Sequence, residues 1–164
     1  MRAYLRPALV VGVVSAICLV ALVTTSATAN SRLRLGKSTY ALEVADTPEL
    51  RQKGLGGRAS LAADQGMVFV FDAPGRECFW MKDMQFSIDI IWINEQKKVV
   101  HMAPDVSPET YPKLFCPPKA AKYVVELPAG EARRSEVAIG DALDLQVADG
   151  SEAVGVPAAE NVGL

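Results

Sequence analysis

Short apolar segments separated by turn-forming residues are the feature that most constrains the fold of this chain. Runs of four to eight apolar residues between glycine, proline and asparagine clusters are typical of buried β-strands. Eight strands are predicted in this way, at residues 33–35, 39–44, 67–71, 78–81, 88–93, 98–102, 123–127 and 141–147. Their number and spacing favour a mainly β fold, a compact sandwich or barrel of the jelly-roll type.

One short helix and one further helical turn are the helical elements predicted after residue 30. Residues 46–54 carry helix-capping signals at both ends, because Asp46 and Glu49 have capping-box spacing and Gly54 suits a left-handed C-terminal cap. Residues 131–136 predict a single additional turn. Five prolines between residues 104 and 118 predict a loop, since proline interrupts helices and strand ladders alike.

The N-terminal residues have the layout of a secretory signal. Arg2 and Arg6 precede an apolar run at residues 8–23, and Ala27-Thr-Ala29 fits a cleavage site before Asn30. An uncleaved membrane anchor is the alternative. Sixteen helical residues reach about 24 Å, short of the roughly 30 Å hydrocarbon layer, although extension beyond residue 23 closes that gap.

The sequence pattern predicts three parts of the chain: a signal or anchor at 1–29, a β domain at 30–147 and a flexible tail at 148–164. We expect the domain to be exported, to lie outside the cytoplasm, and to contact a membrane only through residues 8–23 if these are retained. The whole chain carries 17 basic and 19 acidic residues, a net charge of −2. Without residues 1–29, 15 basic residues remain against 19 acidic ones, which argues against a nucleic-acid partner.

Two cysteines, Cys78 and Cys116, remain in the predicted domain. In an exported protein a pair of cysteines is most simply a disulfide. The alternative is a reactive thiolate of Cys116 activated by His101, which is the only histidine in the chain.

Several segments of the domain together resemble one family. They are Val44-Ala-Asp-Thr-Pro-Glu49, Lys53-Gly-Leu with Arg58, Gly66-Met-Val-Phe-Val-Phe, Phe79-Trp-Met-Lys82, Ile88-Asp-Ile-Ile, Tyr123-Val-Val-Glu-Leu-Pro-Ala-Gly130 and Ile139-Gly-Asp141. In this order they resemble the domain of unknown function 192 family, also called uncharacterised protein family 0127, across residues 33–147. The resemblance implies a compact, mostly β fold that is often exported, and it implies no known reaction. Asp83 departs from the family pattern, which commonly has asparagine there.

Four side chains are the candidates for a binding site. In Phe79-Trp-Met-Lys82 the alternation places Trp80 and Lys82 on one face, and an aromatic ring beside a cation suits a sugar or a peptide. Asp89 and Glu126 each interrupt an apolar strand, so each needs a partner. For Asp89 the partner is Lys82, Arg58 or a backbone turn, and for Glu126 it is Lys82 or Arg51. We expect the four side chains to surround one concavity.

The favoured interpretation is a noncatalytic binding or envelope accessory module for a glycan, a peptide or a surface protein. The alternative is a hydrolase or transferase that uses Asp89 with Glu126, as in glycosidases, or Cys116 with His101. No metal-ligand spacing is present in the sequence, and no cofactor is expected.

Overall fold

A computed structural model describes residues 31–148. Seven strands and two short helices follow one another in this part of the chain, with one 3-10 turn. The elements are β1 (Arg32–Leu35), β2 (Ser38–Ala45), α1 (Pro48–Lys53), β3 (Gln65–Gly75), β4 (Ile88–Ile93), β5 (Val99–Val106), the 3-10 turn (Pro108–Thr110), β6 (Ala121–Pro128), α2 (Glu131–Arg134) and β7 (Asp144–Gln146).

The strands form one sheet in the order β5-β4-β6-β3-β2-β1-β7. All neighbours pair antiparallel except β2 and β3, which are parallel and are joined by a crossover that contains α1. The sheet curls into a half-barrel, because the segment before β7 reaches back to β5. There the N–H of Val99 donates to the carbonyl oxygen of Asp141 at 2.9 Å.

Both faces of the sheet are covered by apolar side chains, and this explains the nearly unbroken apolar strands. On β4, Ile91 and Ile93 contribute to one core cluster, whereas Ile88, Ile90 and Trp92 contribute to the other. All six residues of β4 are buried. We call the layer that contains Trp92 the Trp92 face and the layer that contains Ile91 the Ile91 face.

The predicted mainly β fold with short helices is confirmed, with seven strands in place of eight. Residues 78–81 make only an isolated bridge, between Phe79 and Phe115. The partner segment is flanked by Pro112 and Pro117, which lack the N–H groups that would extend a ladder. The predicted strand at 78–81 is therefore wrong.

Two other local predictions need correction. β5 continues through Pro104 to Val106, inside the predicted loop, and β5 is an edge strand, where proline is tolerated. The side chain that caps α1 is Thr47, one residue after the predicted Asp46, and its Oγ1 accepts a hydrogen bond from Leu50 N–H at 3.3 Å.

The predicted signal or anchor at 1–29 lies outside the described residues. So does the predicted tail, apart from Ala148, whose N–H donates to Ser31 Oγ at 2.9 Å. Within residues 31–148, no helix has the length and apolar character needed to cross a membrane.

Candidate functional site

Asp89 is fully buried and is satisfied by backbone groups. Its carboxylate accepts hydrogen bonds from the N–H groups of Asp105 at 2.8 Å, Gly130 at 3.1 Å and Ala132 at 2.7 Å. These donors hold the end of β5 and the start of α2 against β4. The partner is thus the backbone, the third of the predicted possibilities, and neither Lys82 nor Arg58 is involved.

Glu126 lies on the opposite face of the sheet from Asp89. In the antiparallel register of β4 and β6, Ile90 is paired with Glu126 and Asp89 with Leu127. Directly paired residues share a face, and successive residues alternate between faces. Leu127 belongs to the Ile91 face, so Asp89 points there, while Glu126 points to the Trp92 face with Ile90. The two acids therefore do not form the carboxylate pair of a glycosidase.

Glu126 is a buried acid with one carboxyl oxygen that has no hydrogen-bond partner among the described residues. Its side chain is 5% exposed, and its Oε2 has no hydrogen-bond partner among residues 31–148. Its neighbours across the strands are Met67 and Ile90, both apolar. The predicted pairing of Glu126 with Lys82 or Arg51 is wrong, because the guanidinium of Arg51 donates instead to the carbonyl oxygens of residues 46 and 70.

Burial raises the pKa of Glu126 to about 8, because the surrounding apolar groups disfavour its charged form. The positive charge of Arg58 lowers that pKa only in part. Arg58 itself is engaged by both carboxylate oxygens of Glu43, at 2.5 and 2.7 Å. Glu126 is thus a mostly protonated carboxylic acid at neutral pH, able to donate and to accept a hydrogen bond.

A cavity of about 420 Å³ opens above Glu126, and we call it the Glu126 pocket. Its lining includes the apolar and aromatic side chains of Leu55, Phe69, Phe71, Phe79 and Met84, together with charged and polar groups. Arg51 also lines it, with the guanidinium 5.3 Å from the centre of the Phe71 ring. The volume is within the range of about 300–1,000 Å³ that small-ligand sites occupy.

One side of the pocket is the segment that carries Trp80 and Lys82. The predicted alternation is confirmed here: Phe79 and Met81 pack into the Trp92 face, whereas Trp80 is 47% exposed and Lys82 is exposed. Lys82 Nζ lies 5.8 Å from the centre of the Trp80 ring. The ring of Tyr111 is 5.7 Å from that of Trp80, so two exposed aromatic rings lie together at the rim.

This side of the pocket is fixed in place by covalent and polar contacts. Cys78 and Cys116 form the predicted disulfide. Beside it, the Phe79 N–H donates to the Phe115 carbonyl oxygen at 2.9 Å, and Phe115 returns the bond at 2.8 Å. The Trp92 indole N–H donates to the carbonyl oxygen of Glu77 at 2.9 Å.

The disulfide also decides the second catalytic alternative. Because the sulfur of Cys116 is bonded to Cys78, it is not a thiolate nucleophile in this structure. His101 lies on β5, paired with Trp92, with the two ring centres 5.1 Å apart. The arrangement of Cys116 with His101 is therefore not a catalytic pair here.

Another part of the pocket lining is formed by the end of α1 and the glycine loop that follows. Lys53, Gly54 and Gly56 line it. The Gly57 N–H donates to the Asp83 carbonyl oxygen at 2.8 Å, which joins this loop to the turn after Lys82. A side chain at residue 56 would place its Cβ 3.0 Å from the Lys53 carbonyl oxygen, so the close approach of the loop favours glycine.

Three of the four predicted site residues, Trp80, Lys82 and Glu126, line this one pocket. Asp89 does not, because the strand register directs it to the other face. Sequence reasoning missed Leu55, Phe69 and Phe71 as lining residues, because an apolar side chain in a strand carries no mark of the cavity it borders. Within residues 31–148 no group of three or more acidic, histidine or cysteine side chains is placed to hold a metal ion.

Fold and pocket together define a small β domain in which one curled sheet carries an aromatic-lined pocket on the Trp92 face. The chain belongs to the DUF192 family, described as uncharacterized ACR, whose model matches residues 31–145. The expected family membership is thereby confirmed.

The relatives include one protein that is similar in sequence and two solved structures that share the fold. UPF0127 protein TK1120 from Thermococcus kodakarensis is 33% identical over 102 residues, which are 61% of each protein, so this chain matches about three fifths of that relative's length. A putative transcription regulator from Sinorhizobium meliloti superposes with a TM-score of 0.66 at 28% identity, over 72% of this chain and 95% of that one. A protein of unknown function from Novosphingobium aromaticivorans superposes with a TM-score of 0.65 at 25% identity, over 70% and 83%.

Proposed function

We propose that this protein is an exported, noncatalytic binding module that holds a peptide, a glycan or an envelope protein through the Glu126 pocket. The basic, apolar and small-residue segments of residues 1–29 support export. The pocket supports binding, since it is concave and combines aromatic side chains with several charged and polar groups.

The unpartnered carboxyl group of Glu126 is the observation that carries this proposal. A buried polar group without a hydrogen bond costs about 1–3 kcal/mol, so most proteins satisfy each one. Glu126 Oε2 is buried and has no hydrogen-bond partner within residues 31–148, and the Glu126 side chain lines an open pocket. A ligand that hydrogen-bonds to this carboxyl group converts an unfavourable buried acid into a specificity contact.

The rim of the pocket supports a ligand that extends beyond the cavity. Trp80, Tyr111 and Leu114 are 47%, 46% and 55% exposed, respectively, which is unusual for side chains of this size. Trp80 and Leu114 line the pocket, and Tyr111 packs against Trp80. Exposed aromatic groups next to a cavity are typical of recognition sites, where they are covered on binding.

Substitution of Trp80 tests the binding function. We expect acetylated tripeptides or N-acetylglucosamine oligomers at millimolar concentration to raise the melting temperature of the wild type, and Trp80→Ala to lose that rise while keeping its fold. Ile139→Ala is the matched control, because Ile139 is 63% exposed and does not line the pocket. A rise that persists in Trp80→Ala, or no rise with any probe of either class, contradicts the proposal.

Fractionation tests export. The protein expressed in a bacterium is expected outside the cytoplasm, beginning at Asn30 if the signal is cleaved and retained in the membrane fraction if it is not. Soluble cytoplasmic protein that begins at Met1 contradicts this part of the proposal.

A further inference from the structure

The apolar side chains of the Glu126 pocket favour an apolar group over a sugar ring where they contact the ligand. These side chains are Leu55, Phe69, Phe71, Phe79 and Met84. A sugar buried among these groups would leave most of its hydroxyls without partners, and each such hydroxyl is costly. An aromatic or aliphatic side chain has no such cost.

The buried carboxyl group of Glu126 favours a ligand side chain with a polar tip. Glu126 is 5% exposed and lies on β6, an interior strand of the sheet, so it is at the buried side of the pocket, whereas Trp80 and Lys82 are at the exposed rim. A ligand that packs against the aromatic side chains and hydrogen-bonds to the Glu126 carboxyl group combines an apolar body with a polar tip. Among the natural side chains, tyrosine has this form, since its ring is apolar and its hydroxyl is a donor.

The charges at the rim favour a carboxylate. Arg51, Lys53 and Lys82 line the pocket with Glu77 as the only other titratable group besides Glu126. Neither lysine is ion-paired with another described residue. Although the whole chain is acidic, with a net charge of −2, this lining is therefore positive and complementary to an anion.

We propose that the ligand of the Glu126 pocket is the C-terminal end of a peptide that terminates in tyrosine, an inference that rests on the binding function proposed above. The ring lies between Phe69, Phe71 and Phe79. The hydroxyl hydrogen-bonds to the carboxyl group of Glu126. The terminal carboxylate lies against Lys53 and Lys82, and the preceding residues extend over Trp80.

Four probes test this assignment by isothermal titration calorimetry: acetyl-Ala-Ala-Tyr with a terminal carboxylate, its phenylalanine analogue, its C-terminal amide and the tetramer of N-acetylglucosamine. We expect the tyrosine acid to bind best. The phenylalanine analogue is expected to bind at least tenfold more weakly, because a buried polar group loses its partner. The amide is also expected to bind at least tenfold more weakly, because it lacks the charge.

Variants assign each preference to its residue. Glu126→Leu should abolish the preference for tyrosine over phenylalanine. Its melting temperature should equal or exceed that of the wild type, since it replaces an unsatisfied group by an apolar one. Lys53→Ala combined with Lys82→Ala should abolish the preference for acid over amide. A purely structural Glu126 would instead give a lower melting temperature and leave the peptide preferences unchanged.

Each other outcome overturns the inference in a recognisable way. Equal affinity of the tyrosine and phenylalanine peptides, or an unaltered preference in Glu126→Leu, contradicts the assigned side chain. Binding of the N-acetylglucosamine tetramer alone, with loss in Trp80→Ala, replaces the peptide by a glycan while the proposed binding function stands. If no probe binds, the peptide assignment fails, and the separate melting-temperature comparison with Trp80→Ala decides the proposed function.

Discussion

Asp89→Ala is expected to destabilise the domain strongly. The carboxylate of Asp89 receives the N–H groups of Asp105, Gly130 and Ala132, at 2.7–3.1 Å. Alanine provides no acceptor for any of these three donors. The substitution therefore detaches the turn before α2 and the end of β5 from the strand that supports them.

The size of the stability loss in Asp89→Ala follows from the burial of each backbone N–H donor. Ala132 is 3% exposed, so its N–H loses the full value of an unsatisfied buried donor, about 1–3 kcal/mol. The bonds from Asp105 and Gly130 are only part-buried, and water reaching those donors reduces the cost to about 1 kcal/mol each. We expect a loss of about 3–5 kcal/mol, a large share of the 5–15 kcal/mol typical of a domain.

Equilibrium denaturation in urea at neutral pH measures this loss. Fluorescence reports it well because Trp92 is fully buried in the folded domain. Asp144→Ala is the matched control: the carboxylate of Asp144 is 46% exposed, 3.4 Å from Arg34, and its loss should cost less than about 1 kcal/mol. If Asp89→Ala has a free energy of unfolding within about 1 kcal/mol of the wild type, the anchoring role of Asp89 is refuted.

Three further substitutions test the pocket and its supports. Because the folded pKa of Glu126 is raised to about 8 from 4.5, its contribution to stability is complete below pH 4.5 and is lost as the pH rises toward 8. Between these two pH values the free energy of unfolding should therefore fall by up to about 1.4 kcal/mol per pH unit, and Glu126→Gln should flatten this slope. Equal slopes for the wild type and Glu126→Gln in urea titrations would contradict the burial of the carboxyl group. Cys78→Ser combined with Cys116→Ser should lower the free energy of unfolding by about 4 kcal/mol in the chain-entropy model, and a loss below about 1 kcal/mol would show that the disulfide constrains little. Gly66→Ala should cost about 2–3 kcal/mol in the same assay, because its Cβ would lie 2.7 Å from the Glu126 carbonyl oxygen, whereas wild-type stability would show that β3 and β6 can separate.

The strands that run through the centre of the sheet were predictable because their composition is sufficient to define them. Ile88–Ile93 is a strand with the predicted bounds, since six residues buried on both faces leave little room for polar exposure. The bounds are less well predicted at the edge. β5 extends through Pro104, because an edge strand tolerates a residue that a central strand excludes.

The candidate site was predictable only within a single stretch of chain. The alternation in Phe79-Trp-Met-Lys82 correctly places Trp80 and Lys82 outward, because residues two apart in an extended segment share a side. That Asp89 needs a partner also follows from the sequence. That this partner is a set of backbone N–H groups from β5 and the start of α2 does not, because a backbone donor has no residue type.

The sequence by itself determined the mainly β fold, the family, the disulfide pair and the presence of acids within apolar strands. Only the tertiary structure decided that Glu126 borders the pocket and Asp89 does not. Both acids interrupt apolar strands in the same way, and a shift of one residue in the register of β4 against β6 would place them on the same face of the sheet. That register is set by the packing of the whole curled sheet, and no local pattern in either strand encodes it.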